Sequence, residues 1–157
     1  SIDLWDDHMN TNLRGPFILI QSIAKHLIKH KKPGSIVNIL STSAYVGQSI
    51  LTPYSTSKGG LITLTKNVAN SLKKHKIRVN GVAPGWMETP GEDKIQKEFH
   101  DADNNWLEEA EKKLPFGQLV KTHEISPLIC YLISSSSGII TGSIINYDQN
   151  IIGAVPE

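Results

Sequence analysis

The chain has 157 residues, 39% hydrophobic and 20% charged, with 16 basic against 15 acidic side chains and a net charge of +1. That balance fits one ordinary domain and excludes a disordered acidic tail, a strongly basic nucleic-acid domain and an electrostatic membrane anchor. Apolar runs such as Phe17-Ile18-Leu19-Ile20 are too short to span a bilayer. The single Cys130 leaves no internal disulfide, and neither a secretory signal nor an Asn-x-Ser/Thr acceptor occurs, so a cytoplasmic protein is expected.

Ser1 or Asp3 can cap an opening helix. Met9, Leu13, Phe17, Ile20, Ala24 and Leu27 then recur at three- and four-residue spacings, which predicts a helix over 3–31 stopped by Pro33-Gly34. A start in a helix, with no strand before it and no Met, suggests that something upstream is missing. Ser35 to Leu40 is short, apolar and β-branched, the pattern of a strand buried on both faces. A Ser/Thr/Gly-rich loop follows. Thr52-Pro53 then predicts the cap and first turn of a helix reaching about Lys76, with apolar and small residues over a wide arc. Within it Gly59-Gly60 cost about 1 kcal/mol each relative to alanine, which points to close backbone packing, helix against helix between subunits.

Ile77 to Ala83 predicts a second strand, ended by Pro84-Gly85. Residues 86–120 form a long polar segment with helical pieces, and their length makes them a candidate lid or binding loop. Thr122 to Ile133 predicts a third core helix, with a break at its first turn expected from Pro127. Thr141 to Asp148 predicts the last strand. Helix and strand alternate throughout, which argues for right-handed crossovers and a parallel sheet of the α/β class.

Ligands of such sheets sit beyond the carboxyl ends of the strands. Ser41 ends the first predicted strand, Tyr54 follows thirteen residues on, and Lys58 lies four further along, on the same helix face as Tyr54. A phenol alone is a poor base at neutral pH. An ammonium about 5 Å away, at an effective dielectric near 20, favours phenolate by roughly 3 kcal/mol and brings proton transfer within reach. Ser41 would hold a substrate oxygen, with Ser43 in the same loop as the fallback and Tyr45 as a pocket wall. Pro16 lacks the N–H that would bond the Asn12 carbonyl in a helix, so that carbonyl is left to accept from water. His26 and His30 have the spacing of a metal pair but lie among lysines and read as a solvated basic face, so no metal is expected.

Taken together, these segments resemble the classical short-chain dehydrogenase/reductase family. The likeness runs through Asn12-Leu13-Arg14-Gly15, Gly34 to Ser41, Tyr54-Ser55-Thr56-Ser57-Lys58, Ile77 to Gly85 followed by Thr89, and Thr141-Gly142 before the closing strand. It covers essentially the whole chain in order. The resemblance implies a Rossmann-like doubly wound parallel sheet, with residues 1–157 a single partial domain lacking the N-terminal strands and carrying a substrate loop at about 86–120.

It implies Tyr54 as catalytic acid/base, Lys58 as the ribose-binding residue beside it, Ser41 as the carbonyl orienter and Asn12 as the proton-relay anchor. Pro84, Gly85, Thr89 and the backbone of Met87 would form the nicotinamide-side wall. The implied cofactor is NAD or NADP, the substrate a small alcohol or ketone, and the assembly a homotetramer or homodimer, with neither nucleic acid nor membrane as partner. Trp86 and Trp106, among hydrogen-bonding side chains, lean toward a polar or sugar-like substrate. The family's Gly-rich pyrophosphate turn does not occur in these 157 residues, so the stretch alone is expected to bind dinucleotide poorly and does not choose between NAD and NADP. Two other readings stay open: a nucleotide-binding sensor of the same fold, and an epimerase or dehydratase of the extended branch.

Overall fold

The computed structural model describes residues 1–154. The expected first helix is three consecutive pieces: α1 (Ile2–Met9), a π-helical turn (Asn10–Arg14) and α2 (Gly15–Lys29). Ser1 caps α1, its hydroxyl accepting from the Leu4 N–H at 3.3 Å. The wide turn lies directly before Pro16, the residue that removes the helical donor of the Asn12 carbonyl. Ile20 and Ala24 are buried, whereas Phe17, predicted on the same stripe, is 46% exposed.

After β1 (Gly34–Ile39), a 3-10 turn over Thr42–Tyr45 leads toward α3 (Thr52–Leu72). Thr52 is not an accepting cap; its hydroxyl donates back to the Ser49 carbonyl at 3.0 Å. α3 buries Leu61, Ile62, Thr65, Ala69 and Leu72, the wide arc expected of it. Lys76, in the left-handed region at φ 57°, turns the chain into β2 (Ile77–Pro84). Then come β3 (Met87–Glu88), α4 (Pro90–Phe99), α5 (Trp106–Glu111), β4 (Val120–Lys121), α6 (Thr122–Ile133) and β5 (Ile144–Tyr147). α6 runs unbroken through Pro127, contrary to the expected break.

The main sheet is parallel in the order β1-β2-β5, with Gly34 opposite Ile77 and Gly81 opposite Ile144. β3 and β4 form a separate parallel pair that the sequence reading does not anticipate. Helices cover both faces of the sheet. Ala24, Ala69 and Leu72 pack on Ile77 and Val79, while Ile125 and Leu132 pack on Val82 from the opposite side. β2, flanked on both edges, is almost wholly buried. β1 departs from the prediction: it has one ladder neighbour among the described residues, and Ile39 is 43% exposed.

The last strand is shorter than predicted, and ahead of it side chains share the bonding with the backbone pairs Gly142–Val79 and Gly81–Ser143. The Asn80 carboxamide donates to the Ile140 carbonyl at 2.9 Å and accepts from the Ser143 N–H at 3.1 Å. The Thr141 hydroxyl meanwhile accepts from the Val79 N–H. Arg78 fastens the preceding turn, donating to the carbonyls of Leu132, Ser134 and Ile140. These buried polar groups are satisfied, as a water-poor interior requires.

Candidate active site

The carboxyl ends of β1 and β2 face the start of α3. Lys58 reaches from the second turn of that helix to the end of β1, its Nζ donating to the Ile39 carbonyl at 3.0 Å. The same Nζ lies 5.6 Å from the centre of the Tyr54 ring. The i,i+4 spacing therefore does bring phenol and ammonium together. Burial holds the Lys58 ammonium below the ordinary lysine range, and no carboxylate is paired with it among the described residues. Of its three donors one is spent on Ile39, which leaves two for a ligand. Lys58 and Asn12 both line an open groove of about 370 Å³ beside β1.

Ser41 stands where β1 ends, in extended backbone, and caps the 3-10 turn. Its Oγ accepts from the Ser43 N–H at 3.2 Å and lies 2.7 Å from the Ser43 Oγ, so the two candidate hydroxyls form one bonded pair. Ala44 of that turn packs into the cluster of Leu40 and Leu61, which seats the pair against α3. Tyr45 is partly exposed beside them, its phenol pushed up by burial.

Asn12 comes to the same place from the π-helical turn. Its Nδ2 donates to the Ser57 Oγ at 3.2 Å, and the Ser57 hydroxyl donates to the Tyr54 carbonyl at 2.6 Å. His8 stands within 3.4 Å of the Asn12 amide and edge-on to the Tyr54 ring at 5.9 Å. Ser57 and His8 are not among the residues picked from sequence. The signal available for each was spacing alone: three after Tyr54 and four before Asn12.

The residues expected around a nicotinamide divide. Pro84 and Gly85 end β2 as predicted, and Gly85 has a packing reason of its own: any Cβ there would collide with the Asp148 carboxylate. Met87 pairs with Val120 in the small sheet, its side chain against the core of Val82 and Val120. The Thr89 hydroxyl caps α4, accepting from the Glu92 N–H at 3.0 Å. The two tryptophans are also committed. Trp86 donates its indole N–H to Glu92 at 2.7 Å, and Trp106 donates to Asp93 at 2.8 Å. Trp106 is 9% exposed, among Ala110 and Leu119, so it supports the 86–120 segment from within instead of presenting itself to a substrate.

A parallel α/β sheet with helices on both faces is a Rossmann-type arrangement, and Ser41 and Lys58 stand at its strand ends with Tyr54 beside Lys58. Residues 1–149 match a family model described as enoyl-(acyl carrier protein) reductase. The chain belongs to the short-chain dehydrogenase/reductase family. It is 36% identical over 148 residues to a 3-oxoacyl-[acyl-carrier-protein] reductase of Thermotoga maritima, covering 94% of this chain and 57% of that one. An actinorhodin polyketide ketoreductase solved with NADPH superposes with a TM-score of 0.89 at 29% identity, over 98% of this chain and 61% of the other. A 4-hydroxyisoleucine dehydrogenase solved with NADH gives 0.83 at 33%, over 96% and 60%. The chain spans about half the length of the curated relatives it matches.

Proposed function

We propose that the protein is an NAD(P)-dependent oxidoreductase that interconverts a secondary alcohol and a ketone, with Tyr54 as its acid/base. The observation that carries this reading is the pairing of Lys58 with Tyr54, an ammonium without a carboxylate partner 5.6 Å from a phenol ring. Tyr54 donates its proton to the carbonyl oxygen in reduction and takes the hydroxyl proton in oxidation. The Ser41 hydroxyl donates a hydrogen bond to the same oxygen, and Ser43 steadies Ser41. The two uncommitted donors of Lys58 suit ribose hydroxyls. Asn12 supports the first turn of α3 from behind through Ser57.

The residues present fit a nicotinamide dinucleotide at Tyr54, Lys58 and the Pro84-Gly85 end of β2, with Met87 and Thr89 just beyond. When bound, that group supplies or accepts the hydride. The reading for NAD or NADP is supported by the similar structures solved with NADPH and with NADH. A small polar ketone is the proposed substrate, and a homodimer or homotetramer the proposed assembly. No described helix is long and apolar enough to cross a membrane.

The test is a reductase assay on the full-length protein, with NADH and NADPH against a panel of small ketones. Tyr54→Phe is expected to lower kcat by about 10²–10⁴ while nucleotide affinity changes little. Equal losses in turnover and in nucleotide binding would count against Tyr54 as acid/base.

A further inference from the structure

His8 is the one titratable group against Tyr54 that the proposed chemistry leaves without a task, and the hydrogen-bond arithmetic around it is closed. Ser57 is fully buried and has a single hydroxyl proton, which goes to the Tyr54 carbonyl at 2.6 Å. Its oxygen must therefore accept, at 3.2 Å, from the Asn12 amide. That fixes the amide with its NH2 turned toward Ser57. The second hydrogen of the same NH2 meets His8 Nδ1 at 3.4 Å, so Nδ1 must be the bare nitrogen. Turning the amide over would set oxygen against the Ser57 oxygen, whose hydrogen is already placed. It would leave the buried Ser57 oxygen facing another acceptor with no hydrogen between them.

The imidazole has a second contact. Its ring meets the Tyr54 ring edge-on, 5.9 Å between centres and 72° between planes. A single side chain on α1 thus backs the Asn12 amide, which Ser57 ties to the first turn of α3, and also walls the phenol. We propose that His8 is a positioning residue for Tyr54, acting as a neutral imidazole with its hydrogen on Nε2. The proposal rests on the oxidoreductase reading for its kinetic consequence. Its hydrogen-bond arrangement is readable without turnover.

The experiment combines imidazole nitrogen NMR on the full-length protein with kinetics of two variants. His8→Phe keeps a ring beside Tyr54 and removes the acceptor; His8→Gln restores an acceptor without the ring. The expected spectrum shows His8 with Nε2 protonated and Nδ1 bare. The expected kinetics are a roughly fivefold loss of kcat in His8→Phe, about the worth of one neutral hydrogen bond, with KM within about twofold and most of the loss recovered in His8→Gln. A hydrogen on Nδ1, a His8→Phe variant equal to wild type, or equal losses in both variants would each overturn the proposal. A wild type that reduces no ketone with either nucleotide would sink the oxidoreductase reading and the kinetic role of His8 with it. An active wild type protonated on Nδ1 sinks the His8 proposal alone.

Discussion

Lys58 and Lys121 carry the same charge into opposite surroundings. Lys58, at the start of α3, meets a backbone carbonyl, and burial lowers its pKa. Lys121, at the foot of the 86–120 segment, is held by Glu111 at 2.8 Å and by Glu88, and its pKa is raised by these carboxylates. The contrast extends to the regions around them. At the start of α3 no carboxylate takes part: Asn12 donates to the Ser57 hydroxyl, and Ser57 and Lys58 donate to the backbone carbonyls of Tyr54 and Ile39. In the segment, carboxylates do the fastening: Glu92 to Trp86, Asp93 to Trp106 and Lys97, Glu111 to Lys121. A cation without a counterion keeps donors for a ligand, whereas cations neutralised in place hold only their own segment.

The largest effect expected from this difference is in Lys58→Met. Removing the ammonium also removes a desolvated charge, so the variant should keep its melting temperature while kcat falls at least 100-fold. A melting temperature that collapses together with kcat would mean that Lys58 is a structural fastening like Lys121, and the contrast would fail. Next in size is Trp106→Ala. It empties a buried site beside Ala110 and Leu119 and removes the indole donor of Asp93, at a cost of about 3 kcal/mol. Hydrogen exchange should quicken over α4, α5 and β4 and stay slow in β1 and β2. Equal quickening in the sheet would show that the two regions unfold as one.

How much of this was legible in the sequence follows the same division. Tyr54 and Lys58 are neighbours through helical spacing alone, and Ser41 is placed by the strand it ends, so local periodicity suffices for them. The main strands are legible for the same reason, as apolar runs between turn residues. Trp86 and Trp106 read as substrate contacts because nothing local shows that Glu92 and Asp93 take their indole hydrogens. Those pairings close across six and thirteen residues, through the turn into α4 and the return of α5 onto it. The β3–β4 pair is two residues on each side and offers no periodicity to read. Asn80 holding the approach to the last strand is likewise a side chain meeting backbone about sixty residues away.

Titration should separate the two regions by sign. Lys58 has a depressed pKa in the folded chain, so between that value and the ordinary lysine range near 10.4 the unfolded chain holds the extra proton, and folding gains stability as pH rises. Lys121 has a raised value, so its contribution is complete below about 10.4 and is lost as pH climbs through the folded value. On the acid side Asp93, held low by Trp106 and then Lys97, and Glu111, held low chiefly by Lys121, stabilise the segment above about pH 4. That contribution fades as pH falls through their depressed values, damped by the exposure of these groups. Amide exchange corrected for intrinsic rate should therefore show the segment loosening first at both extremes, ahead of β2. Loosening at α3 first in acid would contradict the assignment of carboxylate fastening to the segment.

The smallest effect concerns the paired glycines of α3, read from sequence as a site of close helix packing. The structure splits them. At Gly60 a Cβ would come within 2.8 Å of the Leu13 Cδ2, so this glycine does answer to the helix crossing it. At Gly59 a Cβ would meet nothing within 4 Å. Gly59→Ala then gains helix propensity without a collision and should stabilise the protein by about 0.5–1 kcal/mol. Gly60→Ala has the same gain offset by pushing Leu13, whose neighbour Asn12 bears on the first turn of α3, so it should be neutral or destabilising and should lower kcat. Thermal melts across protein concentration decide between two reasons for Gly59. If Gly59→Ala instead destabilises, and more so at high concentration, its open space is filled by a second copy of the chain, and the site's frame extends across a subunit contact.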